Sequence, residues 1–156
     1  MKDSVVIWDQ NTYPLKSSQE QLILWRIYNL RGNSDLISIP ELVEKKANKF
    51  RNLFLSWVYE VGQTKIDGIR LIDHLKIRHK FSYWWMTHFT EKCNYSKSPL
   101  ITDVIKIFAL EDLIKTKPLL RIKLVTSNRD LIKVLKEWSY NRNINFEYSY
   151  IESKKK

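Results

Sequence analysis

Cysteine occurs once in the 156 residues, at Cys93, which excludes an intrachain disulfide and a cysteine-based zinc cluster and fits a reducing compartment. Glycine is almost as scarce. Gly32, Gly62 and Gly68 are the only three, and none lies at 9–17 or 126–129, the strand-to-helix turns where a dinucleotide fingerprint or a P-loop would have to sit. His74, His79 and His88 have no HExxH-type spacing, so a metal site would need carboxylates gathered from afar, and neither a metal nor a cofactor is expected. No nucleophile elbow surrounds a serine, and no histidine arrangement marks Cys93. Long apolar runs are missing too: nothing approaches the roughly 20 residues that span a bilayer, and Asp3 and Asp9 bracket a run too short for a signal peptide. The expected location is cytoplasmic, peripheral to a membrane at most.

Aromatic residues and positive charge are plentiful. With 44% hydrophobic and 13% aromatic residues the chain can bury a packed core, and its length is that of one domain. One α/β domain over 1–153 with a basic tail at 154–156 is the expected organisation. Lys and Arg number 27 against 17 Asp and Glu, a net charge of +10, which favours phosphate-bearing partners or an anionic membrane surface. The cations cluster at "KIRHK", 76–80, and in the tail Lys154, Lys155 and Lys156, whose simplest reading is a solvated end.

"SVVIWD" at 4–9 reads as a buried first strand. Ser17 and Glu20 are spaced as a capping box for a helix over 17–31, with Leu24, Ile27, Tyr28 and Arg31 at helical spacing before Gly32. Ser38 and Glu41, with Pro40 in the first turn, predict a long helix whose stripe of Val43, Ala47, Phe50, Phe54, Trp57, Val58 and Val61 runs to Gly62. A turn at Asp67-Gly68, a short helix over 69–76, a helix over 81–92 and a deeply placed helix starting at Pro99 follow, the last capped by Ser98. "LLRIKLVTSN", "RDLIKVLKEWSYN" and "INFEYSYIE" form a strand, a helix and a strand. Such a βαβ unit crosses into a parallel sheet, so a Rossmann-like α/β fold with a helix-rich middle is predicted.

The stretch "FSYWWMTHFTEKCNYSKSP", 81–99, concentrates the candidate chemistry. On a helix, Phe81, Trp85, His88 and Phe89 would fall on one side and Trp84, His88 and Glu91 would form an adjoining line, leaving one as core and one as rim. Both tryptophans can equally fill space between helices. An exposed indole offers a flat apolar face suited to a pyranose ring or a nucleobase, and a nearby glutamate and lysine can hold hydroxyls or a phosphate. Lys97 before a helix N-terminus at Ser98 adds a candidate anion contact, although capping alone accounts for Ser98.

The pattern Phe81, Ser82, Trp84, Trp85, Glu91, Lys92, Lys97, Ser98, Pro99, Asp103 and Lys106 resembles the N-terminal region of a family of bacterial surface carbohydrate (O-antigen) biosynthesis proteins, GT-B-like glycosyltransferases. The resemblance covers roughly the middle third. It implies the N-terminal half of a GT-B-like fold, with Tyr83, Trp84, Trp85, His88, Lys92, Lys97 and Ser98 as substrate-binding residues and Glu91 as the acid/base. Members are longer, and their second half resembles a donor-binding domain. The expected partners are therefore a glycan acceptor or nucleotide sugar, a downstream donor-binding domain and an anionic membrane surface. The alternative is a basic nucleic-acid-binding or structural interaction module without catalysis; the absence of a ribonucleoprotein motif, a zinc finger or a recognition helix makes nucleic acid the weaker partner.

Overall fold

The computed structural model describes residues 3–14, 20–30, 32–33, 35–91, 99–116 and 118–152. Among them, five strands form one parallel sheet: β1 (Ser4–Asp9), β2 (Gln21–Leu24), β3 (Leu36–Ser38), β8 (Arg121–Thr126) and β9 (Asn145–Tyr150), in the order β3-β2-β1-β8-β9. The sheet and its helices make this an α/β protein of Rossmann-like character. The first strand is central because "VVI" can be buried on both faces: Val5 and Ile7 are sealed on one side, Val6 on the other, as the inner strands of a parallel sheet require. Leu22, Leu24, Val6 and Val125 form an apolar cluster against which Trp8, Tyr13, Ile27 and Leu36 pack.

The chain divides into two compact units, Met1–Lys45 with Ala109–Lys156, and Lys46–Phe108. The first carries the sheet. It also holds α1 (Ile39–Lys45) and α5 (Arg129–Tyr140). The helix α5 is fixed at its start by Asn128, whose Oδ1 accepts from the Asp130 and Leu131 N–H groups, and it buries Leu131, Leu135 and Trp138 along one face.

The second unit holds α2 (Ala47–Gln63), two antiparallel hairpins and α3 (Leu71–His74). One hairpin is β4 (Lys65–Ile66) with β5 (Ile69–Arg70), the other β6 (Lys76–Arg78) with β7 (Phe81–Ser82). Asp67 and Gly68 both take positive φ, the turn chemistry that closes a two-residue hairpin. The helix α4 (Pro99–Thr116) contains the division between the units, and Ile101 to Ile114 along it are buried or half-buried.

Four local expectations are corrected. The helix over 17–31 is replaced by the strand Gln21–Leu24: a continuous buried apolar run beside β1 outweighs a helical spacing that is coincidental. The long helix from Pro40 is two helices, interrupted at Lys46, whose φ of −122° and ψ of 31° leave the helical region. The short helix over 69–76 shrinks to Leu71–His74 between strands, so the middle of the chain is less helical than its sequence suggests. The helix over 81–92 is absent, and what replaces it determines the candidate site. The cap at Ser98 and the tail at 154–156 lie outside the described residues.

Candidate functional site

From β7 the chain enters a single 3₁₀ turn, Tyr83–Met86. Ser82 forces this geometry. Its hydroxyl donates to the Ile72 carbonyl at 2.6 Å and accepts from the Trp84 N–H at 3.2 Å, tying the entry of the turn to α3. Its exit is closed by threonines: Thr87 Oγ1 donates to the Trp84 carbonyl at 2.7 Å and Thr90 Oγ1 to the Trp85 carbonyl at 2.9 Å. These side chains compete for carbonyls that an α-helix would have paired internally.

The tight turn separates the two tryptophans. Trp84 points inward and is 4% exposed, whereas Trp85 is 52% and Tyr83 50% exposed. Trp84 stacks on Phe89, with ring centroids 6.3 Å apart, and Phe89 meets Trp57 edge-on at 5.9 Å. Trp57 in turn contacts Phe54 and Phe108. One indole thus anchors an aromatic core and its neighbour is presented to solvent. The helical line of Trp84, His88 and Glu91 does not exist: Trp84 is interior, while His88 and Glu91 are exposed, with His88 Nδ1 and Glu91 Oε2 at 3.4 Å. The turn therefore brings together Tyr83, Trp85 and Met86 as an exposed apolar surface, with the His88–Glu91 pair a few residues on. A flat indole and a phenol can stack on a sugar ring, and a carboxylate beside an imidazole can hold a hydroxyl. Lys92, Lys97 and Ser98 lie outside the described residues.

A second polar constellation occupies the carboxyl edge of the sheet. Asp9 ends β1 opposite Thr126, which ends β8. Its side chain is fully buried, and it accepts from Arg26 Nε at 2.5 Å, from Arg26 Nη2 at 3.3 Å and from Thr126 Oγ1 at 2.5 Å. Thr126 Oγ1 also accepts from the Asn128 N–H at 2.8 Å, linking the carboxylate to the cap of α5. This is the point where the chain order reverses across the sheet, and ligands of open α/β sheets bind there. Here, however, the carboxylate is saturated by its own neighbours, and its evident role is to lock β1, β8 and the start of α5 together. The signal was an aspartate closing a buried β-branched run, but only strand order could pair it with Thr126. Elsewhere in this unit Asn29, Asn33, Ser38, Glu41 and Lys45 line an open cavity of about 400 Å³. Half of the expected capping box forms beside it: Ser38 Oγ accepts from the Glu41 N–H, while the Glu41 carboxylate turns to the Asn29 N–H at 2.7 Å.

Among the described residues no group of three or more His, Cys, Asp or Glu is placed to hold a metal ion, and no helix is long and apolar enough to cross a membrane. No family model, curated protein or solved structure matches the chain.

Proposed function

We propose that the chain is the N-terminal, acceptor-side domain of a GT-B-like glycosyltransferase that builds bacterial surface polysaccharide. On this reading Trp85 and Tyr83 form the sugar platform, and Glu91, steadied by His88, is the acid/base or hydroxyl ligand. Three things support the reading. The sheet has Rossmann-like character, the motif of 81–106 resembles that family, and Trp85 is held in solvent by a turn whose preceding tryptophan is interior. The last observation carries it, because Trp85 and Tyr83, both half exposed in one turn, offer two ring faces on which a sugar ring can stack.

The test is a titration of the protein with free and lipid-linked glycans and with nucleotide sugars, followed by intrinsic fluorescence and calorimetry. Trp85→Ala should weaken glycan binding roughly fivefold, the equivalent of about 1 kcal/mol for one aromatic stack. Glu91→Gln should weaken it less and should reduce transfer when a donor-binding partner is supplied. Glycan binding that is indifferent to both substitutions removes the site, and binding of none of these ligands removes the function.

A further inference from the structure

The sheet ends differently on its two sides. Its edge strand β3 has three residues, whereas β9 at the other edge has six, in a register with β8 that runs without a shift from Asn145 to Tyr150. A free strand edge is a row of unpaired N–H and C=O groups, which proteins ordinarily blunt with lysine, proline, a bulge or brevity. The sequence NFEYSY of β9 has none of these. Its one charge, Glu147, is engaged by Arg121 of β8 at 2.6 Å, so the strand is neutral in a chain whose net charge is +10.

The backbone bonds show which groups the edge presents. The Asn145 N–H donates to the Leu120 carbonyl and the Ile151 N–H to the Thr126 carbonyl, both at 2.9 Å. By the alternation of a regular ladder the odd-numbered residues of β9 bond to β8, and Phe146, Tyr148 and Tyr150 direct their N–H and C=O groups to the open side. The side chains of these three residues also share one face of the sheet. Phe146 and Tyr148 stack with ring centroids 6.4 Å apart, and the Arg129 guanidinium lies over the Tyr150 ring at 5.5 Å. Tyr148 and Tyr150 are nevertheless 55% and 42% exposed. The rings are ordered, and water covers much of them.

We infer that β9 pairs antiparallel with β9 of a second copy of this chain, about a two-fold axis at Tyr148, so that the two sheets become one. That register sets Tyr148 against the partner's Tyr148 and Phe146 against the partner's Tyr150, each pair exchanging both of its outward backbone bonds. On the ring-bearing face every aromatic meets an aromatic, a favourable cross-strand pairing. On the opposite face Glu147 meets the partner's Ser149. A two-fold centred on Glu147 instead would set two carboxylates against each other, so charge selects the register. A foreign strand could serve the backbone groups, but a copy of this one also answers all three rings, and its neutral edge lets two strongly basic chains approach there. The contact is isologous and closes at a dimer.

The experiment is sedimentation equilibrium of the whole chain, with no glycan present, so that its outcome is independent of the glycan titration above. A single strand pair is a small interface, and a reversible dimer should appear between about 1 μM and 1 mM. Tyr148→Lys loses the central ring pair and sets two like charges opposite each other, and should weaken the dimer roughly tenfold; high salt should return part of the loss. Tyr148→Phe should dimerise as the unaltered chain does, and so should Tyr140→Lys, which makes the same exchange at an exposed site on α5. Circular dichroism checks that the variants stay folded. Hydrogen exchange in the unaltered chain decides without any variant: the Phe146, Tyr148 and Tyr150 amides should exchange more slowly in the dimer than in the dilute monomer. A chain that stays monomeric throughout this range, a dimer indifferent to Tyr148→Lys, assembly beyond a dimer, or unchanged exchange at the three amides overturns the inference.

Discussion

In the unit that carries the sheet, Ile7, Ile23, Ile122 and Leu124 are all 0% exposed; in the 46–108 unit, Ile66, Ile69 and Ile77 stand about half in water. The same residue types are therefore set to different tasks. In the sheet, each fully buried aliphatic side chain contributes about 1.5–3 kcal/mol of transfer free energy, and the parallel ladder leaves no tolerance for register error. In the hairpins, two-stranded pieces of this size are marginal by themselves. They are fixed instead by side-chain-to-backbone bonds from Ser82 and His74 and by the aromatic core around Trp84. The first region is built for stability and the second for presentation.

The largest expected effect breaks the comparison on the sheet side. Leu124→Ala removes a sealed side chain from the strand between β1 and β9 and should cost about 2–5 kcal/mol in urea denaturation, a large fraction of the about 5–15 kcal/mol by which domains are ordinarily stable. The matched truncation in the hairpins, Ile77→Ala, should stay within about 0.5 kcal/mol. If the two costs are similar, Ile77 is not a surface residue in solution, and the distinction between the regions fails.

Gly62, near the end of α2, gives the next. A Cβ built there would lie 2.9 Å from Trp84 Nε1 and 3.2 Å from its Cε2, so Gly62→Ala must displace a rigid ring locked in an aromatic cluster. Overpacking of this kind costs about 1–3 kcal/mol, and the helical preference of alanine, worth up to about 1 kcal/mol, offsets part of it. A net loss of about 1 kcal/mol is expected, with a changed near-ultraviolet dichroism signal. Trp84→Phe should relieve the clash, so the double variant should lose less than the sum of the two single ones. Additive losses would place the strain elsewhere. The same contact helps explain why Trp84 Nε1 has no hydrogen-bond partner among the described residues: the ring sits where the glycine admits it.

The sheet was largely legible in the sequence, since β1, β8, α5 and β9 each carry a continuous or alternating apolar signal with a cap or turn at the boundary. The strand β2 was not. Leu24, Ile27, Tyr28 and Arg31 read as one side of a helix until β1 is known to lie beside the Leu22–Leu24 run, a pairing between distant segments that no local pattern encodes. The aromatic stretch was legible in composition and misread in geometry. Spacing over 81–92 was measured on an α-helix, but Ser82, Thr87 and Thr90 draw the carbonyls and N–H groups into a 3₁₀ turn. That exchange turned two neighbouring tryptophans into one interior and one exposed ring. The Asp9–Arg26–Thr126 contact depends on strand order and could not be read locally.

The smallest effect sharpens the comparison at the hairpins, where polar contacts at the surface replace burial. The hydrogen bond from Arg70 lowers the Asp73 carboxyl below its ordinary value of 3.8, helped by the positive charges of Arg70, Lys76 and His74. A carboxyl depressed in the folded state adds stability that is fully present above 3.8 and is lost as pH falls through the folded value. Carbon-detected titration of Asp73 should therefore give a midpoint below 3.8, and Arg70→Gln should return it to the ordinary range. Both groups are solvated, so the pair should contribute little to global stability and should weaken in high salt. Asp73→Asn should accordingly leave the urea midpoint almost unchanged at neutral pH, while hydrogen exchange in the 65–82 segment quickens. An Asp73 midpoint at or above 3.8 would mean that the Arg70 contact does not persist in solution, and the first hairpin would then lack one of the polar fastenings that hold its isoleucines outward.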